Sequence, residues 1–145
     1  MKKRGMLQQQ VFYYILAAVM ISLIFMFGYQ QLVKLQNLNE QAKFVTFKND
    51  FQNAIQNIYN KNPGSTLIYS DSSQNKPLIL PKDAKKICFR NEKDKALVKS
   101  DSTYFTSFYI DNLFSENECF DLVNSKFSFT LENKAEGQKT IVRIR

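Results

Sequence analysis

An uncharged run covering residues 6–33 limits what this chain can become more than any other feature. Its core, residues 11–28, reads VFYYILAAVMISLIFMFG. At about 1.5 Å per residue that core covers about 27 Å as a helix, near the lower limit for crossing a bilayer, and Met6 and Leu7 can lengthen it. Lys2, Lys3 and Arg4 stand directly before the run, and no further charge follows until Lys34. A one-sided basic cluster predicts a cytoplasmic N-terminus with everything after the span on the far side of the membrane. Tyr13, Tyr14 and Tyr29 lie near the two ends of the run, where amphipathic rings settle at headgroup level. An ordinary secretory signal fits poorly. The apolar stretch is too long, and no small-x-small cleavage site follows it.

Helical signals continue past the span. Residues 29–60 contain neither Pro nor Gly. Leu32, Leu35, Leu38, Ala42 and Val45 recur at helical spacing, followed by Phe44, Phe47, Phe51, Ile55 and Ile58. Gln, Asn, Lys and Glu fill the opposite face, so the segment predicts an amphipathic helix. Neither stripe is sustained for the three or four heptads of a two-chain coiled coil. The Phe-rich stripe predicts a face packed on the chain's own domain. The Leu-rich stripe predicts an exposed stalk or a surface that meets neighbouring copies. Asn60-Lys-Asn-Pro-Gly64 ends the helix, because Pro63 cannot continue it and Gly64 suits a turn.

Beyond residue 60 the chain reads as short strands: residues 66–70, 78–80, 86–90, 106–111, 126–131 and 140–145. The last two alternate most clearly, and the intervening ENKAEGQ, with Gly137, predicts a hairpin loop. Residues 70–76 and 92–103 read as polar loops. The fold class is therefore α+β: one long N-terminal helix, transmembrane in its front half, packed on a small antiparallel β-sheet domain. The expected organisation is a basic leader at 1–5, a transmembrane helix at 6–30, a helical stalk at 31–60 and a small extracytoplasmic β domain at 61–145. Eighty-five residues suffice for one small domain.

The net charge of +7 divides into +4 over residues 1–60 and +3 over residues 61–145. Charges of both signs are interspersed in the second part, without the concentrated basic face of a nucleic-acid binder. Enzyme chemistry also lacks its parts. The chain has no His, no Gly-rich phosphate loop and no GxSxG, so Cys88 has no imidazole base and no cofactor or metal site is expected. Glu116, Glu118 and Asp121 around Cys119 read as a solvated loop, and Lys82, Lys85 and Lys86 as a wet turn before a strand. Cys88 and Cys119 both fall in the part expected outside the cell, where two cysteines are candidates for a disulfide. The alternative is two small buried side chains that never meet.

KKRG followed by MLQQQ and an apolar run resembles a class III, or type IV prepilin-like, signal. The whole layout resembles a type IV pilin-like subunit, archaeal ones in particular. The resemblance implies that a prepilin-type peptidase recognises Lys3, Arg4 and Gly5 and cuts after Gly5, making Met6 the first mature residue. It also implies a surface or filament subunit, held in the membrane before assembly and then packed among homo- or hetero-oligomeric pilin-like subunits through the same helix. The chain departs from bacterial members at the fifth mature position, where Gln10 stands in place of the usual Glu. Without cleavage, the same layout describes a single-pass anchored interaction protein resembling division-complex scaffolds.

Overall fold

The computed structural model describes the backbone of residues 3–136 and 139–145, and the side chains of 10–135 and 140–145. Met1 and Lys2 of the expected leader and Gly137 of the hairpin lie outside the described residues. So do the side chains of Lys3, Arg4, Gly5 and Met6. One helix, α1 (Lys3–Tyr59), is followed by ten strands: β1 (Thr66–Tyr69), β2 (Leu78–Ile79), β3 (Lys86–Glu92), β4 (Lys95–Ser100), β5 (Phe108–Asp111), β6 (Leu113–Ser115), β7 (Cys119–Asp121), β8 (Lys126–Phe127), β9 (Phe129–Glu136) and β10 (Lys139–Ile144). The fold is α+β. Two compact units divide the chain, residues 1–39 and residues 40–145.

The described part of the first unit, residues 3–39, is helix alone. Its residues 10–39 are exposed, apolar and polar alike. Ser22 Oγ, within the apolar run, donates to the Ala18 carbonyl one turn back at 2.8 Å. That bond satisfies the hydroxyl proton within the helix itself.

The second unit, the head, gathers the last turns of α1 with all ten strands. Strand order is β1-β9-β10-β6 in one four-stranded sheet and β5-β4-β3-β7 in the other, with β2-β8 as a separate pair. Pairing is antiparallel except between β10 and β6, which run parallel with Val142 opposite Leu113. Phe47, Phe51, Ala54, Ile55 and Ile58 of α1 are buried with residues of all three sheets, among them Phe89, Val98, Phe127, Leu131 and Ile144, and with Leu80 just past β2. Phenylalanine dominates this core. The Phe51 ring lies 5.3 Å from that of Phe129, 5.9 Å from those of Phe89 and Phe127, and 5.6 Å from that of Phe47. Such ring pairs add to the area they bury. Glu40 ties the helix to the head at its other end. It pairs with Lys43 at 2.8 Å and accepts the main-chain N–H of Lys82 at 2.9 Å.

Several strands differ from expectation. Residues 92–103 hold β4 and the end of β3 where a polar loop was expected. Lys95, Leu97 and Lys99 face outward while Ala96 and Val98 are buried, so the alternation is real but carried by a small residue on its inner face. Residues 126–131 form two strands in different sheets, broken at Ser128. The ENKAEGQ segment is mostly strand: β9 runs to Glu136 and β10 starts at Lys139. Its polar residues mark the wet face of a strand whose inner face carries Leu131 and Asn133. Asn124 and Ser125, with φ of 53° and 58°, form the two-residue turn between Val123 and Lys126. Positive φ at both positions is the geometry of a type I′ turn.

Candidate functional site

Among the described residues, the largest exposed apolar feature is the surface of α1 over residues 10–39. Its exposed large apolar side chains include Val11, Phe12, Ile15, Ile24, Phe25 and Phe27, which face all sides of the helix. An 18-residue stretch of this helix is strongly apolar and has no buried residue. A soluble core helix shows one apolar face and buries it. This one is apolar all round and uncovered, the pattern of a helix whose solvent is lipid or other helices. The helix is thus long and apolar enough to span a membrane. Below it the character changes as the sequence predicts. Leu32, Leu35, Leu38 and Val45 are exposed, whereas Phe47, Phe51, Ile55 and Ile58 are buried.

The expected processing residues fall at the start of α1. The backbone at Lys3, Arg4, Gly5 and Met6 is helical. Gln10, the uncharged residue at the fifth position after Gly5, is exposed.

Cys88 and Cys119 are joined in a disulfide. They sit directly opposite each other on β3 and β7, with Cα atoms 4.0 Å apart. The neighbouring N–H of Phe89 bonds the Glu118 carbonyl at 2.6 Å, which makes 88/119 a non-hydrogen-bonded pair, the closer of the two antiparallel positions. The staple closes a sequence separation of 31 residues and holds β7, a three-residue strand, on its sheet.

The carboxylates near Cys119 do not form one cluster. Glu116 joins Arg143 at 3.4 Å and Arg145 at 3.1 Å, and Arg145 reaches on to Glu132 at 3.1 Å. The expected solvated loop is here an ion-pair chain along the β10 end of its sheet. Asp121 faces Lys86 across β3 and β7 at 3.6 Å, an exposed pair of small worth. Among the described residues, no group of three or more His, Cys, Asp or Glu side chains is placed to hold a metal ion.

The lysine turn before β3 is organised by two aspartates that sequence reasoning did not single out. Asp101 accepts the main-chain N–H of Lys85 at 2.9 Å and of Lys86 at 3.1 Å, and these bonds hold its carboxyl below the ordinary range. Partial burial pushes the Asp83 carboxyl up. Hydrogen bonds from Ser102 Oγ at 2.5 Å and from Thr103 N and Oγ1 at 2.8 Å more than reverse this, leaving it lowered. Both aspartates tie loops together. Asp101 is followed by Ser102 and Thr103, a pattern too common to single out, and Asp83, between Lys82 and Ala84, has no such neighbour.

No protein-family model matches the chain, and no curated protein or solved structure does either.

Proposed function

We propose that this protein is a pilin-like surface or filament subunit, anchored in a membrane through α1 before assembly. One observation carries the reading: residues 10–39 lie in a helix with no burial of their apolar surface, and the same helix, α1, continues into the core of a small, disulfide-stapled head. An uncharged helix of this kind rests in lipid as a monomer. It exchanges lipid for neighbouring helices on assembly, without transferring a charge. The head stays in water in both states, with the N-terminus cytoplasmic and the head extracytoplasmic. A prepilin-type peptidase would cut after Gly5, at the edge of the basic leader.

N-terminal sequencing of the protein extracted from membranes of its native host tests this directly. The expected mature chain starts at Met6, and Gly5→Val abolishes processing because the branched side chain crowds a small-residue subsite. Protease added to intact cells should digest the head and spare the residues before Lys34.

A second reading has its own support in Gln10, which cannot supply the carboxylate that bacterial pilins place there. In that reading the chain keeps its leader and works as a single-pass anchored interaction protein. A native chain that starts at Met1 decides for it.

A further inference from the structure

The two four-stranded sheets have four edges, and the chain blunts three of them. At β6, the side-chain amide of Asn91 pairs with both main-chain groups of Ser115, donating to its carbonyl at 2.8 Å and accepting its N–H at 2.9 Å. At β1, Ser73 donates to the Ile68 carbonyl at 3.0 Å, and Asn75 bridges to Tyr69. The β7 edge is only three residues long. Closing edges in these ways is how sheets avoid unwanted pairing. The fourth edge, β5, is treated differently.

The register fixes which groups β5 turns outward. Asn112 N–H bonds the Asp94 carbonyl at 2.7 Å, so 112/94 is a hydrogen-bonded pair. Counting back by two along the Lys95–Asp111 to Val98–Phe108 register, Ile110 and Phe108 also bond β4, while Tyr109 and Asp111 direct their N–H and C=O groups away from it. Among the described residues, no strand lies on that side. In its place is a groove of about 420 Å3, between β5 and the last turns of α1. Its far wall carries the carboxamides of Gln52, Asn53 and Gln56, and Asp111 is the one formally charged residue of its lining.

We propose that this groove is a docking slot for an extended peptide segment of a partner chain, added as a fifth strand beside β5. The chemistry of both walls suits a peptide. A strand pairing with Tyr109 and Asp111 needs three residues over about 7 Å, and the groove lies in the size range of ordinary ligand sites. Such a strand presents a second row of donors and acceptors on its outer edge. A carboxamide offers one of each kind, and three of them line the opposite wall. Main-chain pairing supplies affinity in this mode, and side-chain pockets supply selectivity. Asp111 is the one formal charge in the lining, and its cross-strand partner Lys95 lies 5.2 Å from the centre of the Tyr109 ring, so the local charge is balanced and the segment is neutral. The inference rests on the head alone and holds whether or not residues 1–5 are removed.

The test uses the full chain in detergent micelles and a phage-displayed library of random linear heptapeptides, with synthesis of the selected sequences. Expected are peptides that bind the wild type and protect the Tyr109 and Asp111 amides from hydrogen exchange. In the free protein those two amides exchange fast while Phe108 and Ile110 are protected. Tyr109→Pro removes the outward N–H without touching the β4 ladder and should weaken binding at least tenfold. Tyr109→Phe should not. Gln56→Ala should weaken it several-fold. If Tyr109→Pro loses protection at Phe108 and Ile110, the sheet has been damaged, and wild-type exchange with and without peptide decides. The proposal is overturned if no peptide is enriched over an unrelated membrane protein. It is overturned equally if selected peptides bind Tyr109→Pro unchanged, if the two amides stay unprotected, or if a glycan array alone finds a ligand for the groove.

Discussion

The side-chain amide of Asn133, in the middle of β9, donates to the main-chain carbonyl of Lys61 at 2.6 Å, just beyond the end of α1. It also reaches the Tyr59 carbonyl at 3.3 Å. Helices end with carbonyls that have no partner of their own. Here a strand more than seventy residues away supplies the cap. The main chain reinforces it: Gly64 N–H bonds the Asn133 carbonyl at 2.6 Å, and Asn133 N–H bonds the Ser65 carbonyl at 2.9 Å. Gly64 sits at φ of 90°, a backbone angle that side chains disfavour.

Asn133→Ala should therefore destabilise the head by about 1–3 kcal/mol, the cost of losing the two hydrogen bonds that its amide makes. Asn133 itself is fully buried. Urea denaturation followed by circular dichroism measures it. A change below about 0.5 kcal/mol would show that the cap is dispensable.

Phe51→Ala should cost about 3–5 kcal/mol, because the ring is fully buried among four others and the site cannot collapse around the loss. Leu35→Ala, on the exposed part of the same helix, should leave head stability within about 0.5 kcal/mol. Equal effects from the two would contradict the division of α1 into a free and a packed part.

The Cys88–Cys119 bridge predicts a mass lower by two hydrogens under non-reducing conditions. Its removal by a double Cys→Ser change should cost about 2–4 kcal/mol, with the loss concentrated on β7. Amide exchange of Phe120 and Asp121 reports this locally. Quantitative labelling of both thiols without reductant would refute the bridge.

Acid should loosen the loops around β3 before the rest of the head. Asp83 and Asp101 have carboxyl pKa values below the ordinary range when folded. Their stabilising effect is present above the unfolded value of about 3.9 and is lost as pH falls through the lower folded values. Thermal melts from pH 7 to pH 2 should show stability falling below about pH 4. Asp83→Asn should flatten that fall. An unchanged acid limb would mean that the hydrogen bonds to Asp83 add nothing.

The helix was legible because its signals are long. An uncharged run and a Phe stripe at helical spacing survive any local ambiguity, and the structure places Phe47, Phe51 and Ile58 as that spacing requires. Strand β4 was not legible, because Lys95 and Lys99 dominate a six-residue window whose inner face shows only Ala96 and Val98. Strands β6 and β7 have three residues each, too few to show a period. The parallel pairing of β10 with β6 has no local signature at all. It follows from packing, since Val142 and Ile144 enter the same core as Leu113. The aspartate loops and the Asn133 cap are polar side chains serving distant main-chain groups, and a linear sequence does not show which distant carbonyl an amide will find.

Strand β10 lies inside its sheet, between β9 and β6, although it is the last strand in chain order. A head emerging from the ribosome or a translocation pore therefore cannot close until residues 139–144 are free. Until then β9 and β6 both stand open along one side, and the core lacks Val142 and Ile144. Helix α1 is thus complete while the head still lacks its keystone strand, and any factor that guards new chains has a defined window in which to act.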